Sequence, residues 1–115
     1  MSDGWTIVNS TIRVWSRRAG RLLRPVTAPG AARTDSEAAW SPDGRTIAFV
    51  RRAVNSNVEL GPPTIFLVRP DGRGQRRLSR GASPSWSPDG RHLVFAWGSG
   101  IYRIREDGEA RTRIA

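Results

Sequence analysis

Apolar residues in this chain fall in short runs, and none of them holds the i, i+3, i+4, i+7 spacing of a helix face. Ile47-Ala48-Phe49-Val50, Ile65-Phe66-Leu67-Val68, Leu93-Val94-Phe95-Ala96-Trp97 and Ile101-Tyr102-Arg103-Ile104 are such runs, rich in β-branched and aromatic residues. Clusters of Gly, Pro, Asp, Asn and Ser separate them. The pattern predicts many short strands joined by turns. In Ser-Pro-Asp-Gly, Pro presets the first turn dihedral, Asp bonds the backbone ahead of it, and Gly takes the positive φ that a Cβ resists. A tight hairpin is expected at each copy.

The runs repeat. Ala39-Trp40-Ser41-Pro42-Asp43-Gly44-Arg45-Thr46-Ile47-Ala48-Phe49 returns 46 residues later as Ser85-Trp86-Ser87-Pro88-Asp89-Gly90-Arg91-His92-Leu93-Val94-Phe95. Downstream, Ile65-Phe66-Leu67-Val68-Arg69-Pro70-Asp71-Gly72 matches Ile101-Tyr102-Arg103-Ile104-Arg105-Glu106-Asp107-Gly108 at an offset of 36, so the second copy is ten residues shorter between its halves. A fainter copy opens the chain, where Asp3-Gly4-Trp5-Thr6-Ile7-Val8 follows Asp43 to Ala48 and Thr11-Ile12-Arg13-Val14 follows Thr64 to Leu67. It begins past the place of its Trp-Ser-Pro. Each full unit carries four strand-like segments and reads as a four-stranded antiparallel meander.

Trp40-Ser41-Pro42-Asp43-Gly44-Arg45 and Trp86-Ser87-Pro88-Asp89-Gly90-Arg91, with the downstream Asp-Gly and Arg-Leu or Arg-Ile segments, resemble the TolB-type, WD-like β-propeller repeats. The resemblance covers about residues 3 to 115. It implies blades of four strands, innermost first, stacked radially about a channel, in proteins that mostly serve as interaction platforms. The expected fold is therefore all-β, a partial β-propeller of nearly three four-stranded antiparallel blades. One propeller segment spans 1–115, with an incomplete blade in 1–31 and full blades in 35–80 and 82–115. Propellers close with four to eight blades. An open arc exposes apolar blade faces at both ends, so a homodimer sharing one ring, or other propeller blades, is the expected partner.

Composition narrows the chemistry. The 115 residues hold no Cys and one His, which excludes disulfides, Cys-based zinc sites and Cys catalysis. All 19 basic residues are Arg, against 10 acidic ones, for a formal charge of +9. The arginines are dispersed with no long run, so nucleic acid is not the favoured partner, although polyanion binding remains an alternative. No apolar stretch approaches the length of a membrane span, and the first ten residues lack the features of a signal peptide. The chain as written is expected in the cytoplasm, or in the periplasm or outside the cell if it is part of a longer exported protein.

Five of the six Asp residues (Asp3, Asp43, Asp71, Asp89 and Asp107) directly precede Gly and are expected in turns. The sixth, Asp35, lies beside Ser36 and Glu37 in what reads as a linker. His92 takes the place of Thr46 and is expected to be structural. These assignments leave no catalytic set, no metal site and no cofactor, and the chain is expected not to be an enzyme.

Strand direction reverses at every turn, so the tight Asp-Gly hairpins share one rim and the connections that vary between copies share the other. Variable loops on a rigid scaffold are where binding resides. Candidate binding residues on that rim are Arg51, Arg52, Asn55, Asn57 and Glu59 of the long loop, Trp97 beside Gly98-Ser99-Gly100, and Arg80. Trp40 and Trp86 are expected to pack between blades, with Ser41, Pro42, Asp43, Gly44 and Ser87, Pro88, Asp89, Gly90 as the structural motif. The reading is a non-enzymatic scaffold that binds a protein or peptide through this rim. Its alternatives are an Arg-rich nucleic-acid or polyanion-binding module and a fragment of a larger propeller, such as the gating domain of a peptidase.

Overall fold

The computed structural model describes residues 4–8, 11–16, 21–25, 27, 33–55, 57 and 59–115; ahead of Arg33, side chains are described for Ile12 and Thr27. Trp5 and Trp15 thus have described backbone only, and Asn9, Ser10, Ser56 and Val58 lie outside the described residues. The described residues form eleven strands: β1 (Gly4–Val8), β2 (Thr11–Ser16), β3 (Arg21–Pro25), β4 (Arg33–Trp40), β5 (Ile47–Ala53), β6 (Thr64–Val68), β7 (Arg76–Arg80), β8 (Ala82–Trp86), β9 (His92–Trp97), β10 (Gly100–Arg105) and β11 (Thr112–Arg113). They build three antiparallel meanders, β1-β2-β3, β4-β5-β6-β7 and β8-β9-β10-β11.

The continuous apolar run Ile47-Ala48-Phe49-Val50 is explained by burial on both faces of the middle sheet. Side chains alternate across a strand, so Ile47 and Phe49, with Phe66 and Val68 of β6, point one way. They meet Ile12 of β2, together with Ala38 and Trp40 of β4. Ala48 and Val50, with Ile65 and Leu67, point the other way and pack against Leu93, Phe95 and Ile104 of the third sheet, joined by Trp86, Trp97 and Tyr102. The pairs Phe49–Phe66 and Phe95–Tyr102 lie opposite each other in register and stack at the same centroid separation of 5.8 Å.

Leu93, Phe95, Tyr102 and Ile104 occupy the repeat positions of Ile47, Phe49, Phe66 and Val68. The third sheet therefore meets the second through the same face by which the second meets the first. A two-layer sandwich buries one face of each sheet; this head-to-tail stacking uses both faces of the middle one and propagates as propeller blades do. The fold is an all-β partial propeller. Its extents are 41 × 41 × 20 Å, the short one close to the length of a six-residue strand such as β9.

Local irregularities recur with the repeat. Register shifts interrupt the first strand of each full sheet, between Ser36 and Ala39 and between Ala82 and Ser85. Each bulge holds a non-glycine residue at positive φ, Glu37 at 52° and Ser83 at 53°. Ser83 Oγ donates to Glu37 Oε1 at 3.2 Å, linking the two bulges across the sheets. After β3, Thr27 is buried and ties back to β2, its Oγ1 accepting from Ile12 N at 3.0 Å.

Candidate functional site

The two Trp-Ser-Pro-Asp-Gly turns share one bonding scheme. Ser41 Oγ donates to Asp43 Oδ1 at 2.6 Å and accepts from Thr46 N at 3.1 Å, while Asp43 Oδ1 also accepts from Arg45 N at 3.0 Å. Ser87, Asp89, Arg91 and His92 repeat this with 2.5, 3.1 and 3.0 Å. Gly44 and Gly90 sit at φ +73° and +72°. The Ser hydroxyl, and then the Arg45 or Arg91 amide, favour the ionised carboxylate and hold Asp43 and Asp89 below the usual aspartate value. Asp107 is lowered by the Glu109 amide first and then by Arg105. These carboxylates act within their turns. The hydroxyl bridge from Ser41 and Ser87 was not anticipated from the sequence, although the invariant spacing of Ser and Asp in both copies carried the signal.

On the opposite rim the candidate residues separate into three groups. The tip of the long loop is a small bonded unit: Asn55 Oδ1 accepts from the amides of Asn57 and Glu59, both at 2.9 Å, and Val54 bridges Leu60. Arg52 Nη1 reaches Gly61 O at 3.4 Å. Arg80 lies over the Trp97 ring at 5.9 Å, and Trp97 packs against the second core cluster.

Arg51 stands apart. Its Nε and Nη2 donate to Asp35 at 2.8 and 3.1 Å, and Nη2 also reaches Gln75 Oε1 at 2.8 Å. The guanidinium covers the Phe49 and Phe66 rings at 5.3 and 4.8 Å. Asp35 is fully buried on β4, not in a linker, and pairs with Arg51 in the strand register. The third sheet solves the same packing with other residues. Trp97 takes the place of Arg51, Gly81 that of Asp35, and the cation over Phe95 and Tyr102 comes from Arg111, at 5.6 and 4.7 Å. A Cβ at Gly81 would stand 2.3 Å from the Phe95 ring, so no acidic side chain fits there.

The rim that carries the tight Asp-Gly hairpins holds an open groove of about 540 Å³ lined by Gly44, Arg45, Arg69, Pro70 and Asp71. It lies between the two Asp-Gly turns of the middle sheet. Arg45 and Arg69 are both exposed there, and Arg69 extends along Gly74, its Nε 3.5 Å from where a Cβ would stand. Such a site can take an anion of modest size or one unit of a longer acidic chain. No helix among the described residues is long and apolar enough to cross a membrane.

No family model matches the chain, and no curated protein resembles it in sequence. Solved structures do share its fold. An oligogalacturonate lyase in complex with manganese superposes with a TM-score of 0.71 at 16% identity, covering 94% of this chain and 30% of that one. The oligogalacturonate lyase of Vibrio parahaemolyticus superposes with a TM-score of 0.64 at 12% identity, covering 88% and 28%. The chain thus spans less than a third of either structure. Among the described residues no group of three His, Asp or Glu is placed to hold a metal ion.

These comparisons correct two expectations drawn from the sequence, that the chain is a non-enzymatic scaffold working through its variable rim and that it is not an enzyme. The two oligogalacturonate lyases that superpose on it are enzymes. Assigning the Asp residues to turns accounts for this chain's own carboxylates alone. An active site on a propeller draws on loops from several blades, and this chain spans less than a third of either lyase.

Proposed function

We propose that this chain is an arc of a larger propeller, of the TolB type that its Trp-Ser-Pro-Asp-Gly repeats resemble, and that the complete ring is an enzyme acting on an acidic oligosaccharide. The observation that carries this reading is the superposition of nearly the whole chain on 30% of an oligogalacturonate lyase. The blades would be 1–31, 35–80 and 82–115, and the partners the remaining blades of the ring. The charge of +9 suits a substrate that bears a carboxylate on each sugar. Within the arc, Arg45 and Arg69 are the residues assigned to hold such a carboxylate at the hairpin rim, since a guanidinium matches carboxylate geometry through paired N–H groups.

The chain itself tests this by isothermal titration with an oligogalacturonate, against a neutral oligosaccharide of equal length and heparin. Selective binding of the oligogalacturonate is expected, weakened about tenfold by Arg45→Gln or Arg69→Gln, in line with the loss of a charge-assisted hydrogen bond. Equal binding of oligogalacturonate and heparin, unchanged by either substitution, would reduce the interaction to net charge and refute the assignment.

A further inference from the structure

The middle and third sheets have four strands each, whereas β1-β2-β3 has three. β5 is flanked by β4 and β6, and β9 by β8 and β10; β1 pairs with β2, and its other edge carries no strand among the described residues. An open edge presents a row of backbone donors and acceptors ready to pair.

A second observation points to the same place. Trp86, at the end of β8, donates its indole Nε1 to Ala39 O at 3.0 Å. The bond runs from the first strand of one sheet to the first strand of the sheet before it. Trp40 holds the equivalent position on β4, and its Nε1 is buried with no hydrogen-bond partner. A buried N–H left without an acceptor keeps the desolvation cost of the group and gains nothing in return. By the repeat, its acceptor is the carbonyl of the residue preceding Trp on the first strand of the β1 sheet, a place that no strand among the described residues fills.

We propose that the open edge of β1 is the seat of an extended peptide strand of the β4 and β8 type, pairing antiparallel with β1 and offering a backbone carbonyl to the Trp40 indole. The inference rests on reading the chain as part of a larger ring. The strand's chemistry follows from the two that are present: a small residue, Ala39 or Ser85, then Trp-Ser-Pro-Asp-Gly, so that the backbone approaches closely and a hairpin leads into the next strand. Asp3-Gly4 already supplies the end of that motif.

The test places a copy of residues 33–42 directly ahead of Asp3, replacing Met1 and Ser2, and adds the same segment as a free peptide to the unaltered chain. The readouts are the Trp40 indole N–H signal and its hydrogen exchange. Strand addition is expected to move that signal downfield, slow its exchange about tenfold and raise the thermal midpoint. Trp40→Phe should remove part of the added stability in the extended chain and cost little in the unaltered one, where Trp86→Phe costs more. An extended chain with no gain in thermal midpoint and an unmoved Trp40 signal would overturn the proposal, as would a gain of equal size with Phe at 40. No saccharide enters these measurements, so their outcome is separable from the fate of the substrate assignment.

Discussion

At the scale of single residues, the Asp35–Arg51 pair shows how one polar contact is built into a blade interface. The side chains are 0% and 10% exposed, so the pair is largely shielded from water, and its value depends on both partners being present. Asp35→Asn leaves the guanidinium of Arg51 without its counter-charge over two aromatic rings. A loss of about 3–5 kcal/mol is expected in denaturant unfolding, the range for breaking a buried ion pair from one side. Arg105 and Asp107 also touch, at 2.7 Å, but both are about half exposed and screened by water, and Asp107→Asn should leave the denaturant midpoint nearly unchanged. This pairing at Arg51 was hidden in the sequence. The two residues lie 16 apart, and the bulge between Ser36 and Ala39 breaks the alternation by which facing residues are counted. The repeat did hold a trace of it, since Asp35 and Arg51 change together to Gly81 and Trp97.

At the scale of elements, the hairpins were the most legible feature, because the conformation demanded by Pro, Asp and Gly is local and recurs in full. Asp71 and Asp107 extend it: the amides of Arg73 and Glu109 donate to them, both at 2.9 Å. The bulges at Glu37 and Ser83 were not legible, because neither position holds the glycine that usually signals a positive φ. The Ser hydroxyls give these turns a pH dependence. Asp43 and Asp89 have folded pKa values below the ordinary 3.8, so the stability they contribute is present above that value and is lost as pH falls through the lower folded one. Carboxyl titrations followed by NMR should place both midpoints below 3.8. Ser41→Ala should raise Asp43 alone and Ser87→Ala should raise Asp89 alone, while a midpoint that stays fixed would show that the hydroxyl is not the main cause.

At the scale of the molecule, the repeat made the all-β meanders and their radial stacking readable, while function was not. The reason is physical: blade packing is written in residues that recur, whereas binding and chemistry on such a scaffold come from loops that do not recur. The variable rim drew attention through its diversity, yet Arg51 there is committed to Asp35 and Trp97 to the second core. The groove at Arg45 and Arg69 lies among hairpins whose regularity marked them as structural. The outward face of the third sheet follows the same logic. Val94 and Ala96 are half-buried, Ile101 is exposed, and Arg103 stands where the middle sheet buries Leu67.

The central claim is that successive meanders stack face to tail as neighbouring blades, and the Trp86 indole reports on it most directly. NMR of the chain should show a slowly exchanging Trp86 indole N–H with nuclear Overhauser contacts to Ala39, and contacts from Leu93 and Phe95 to Val50 and Leu67. A Trp86 indole that exchanges freely, with no contacts between the middle and third sheets, would contradict the arc.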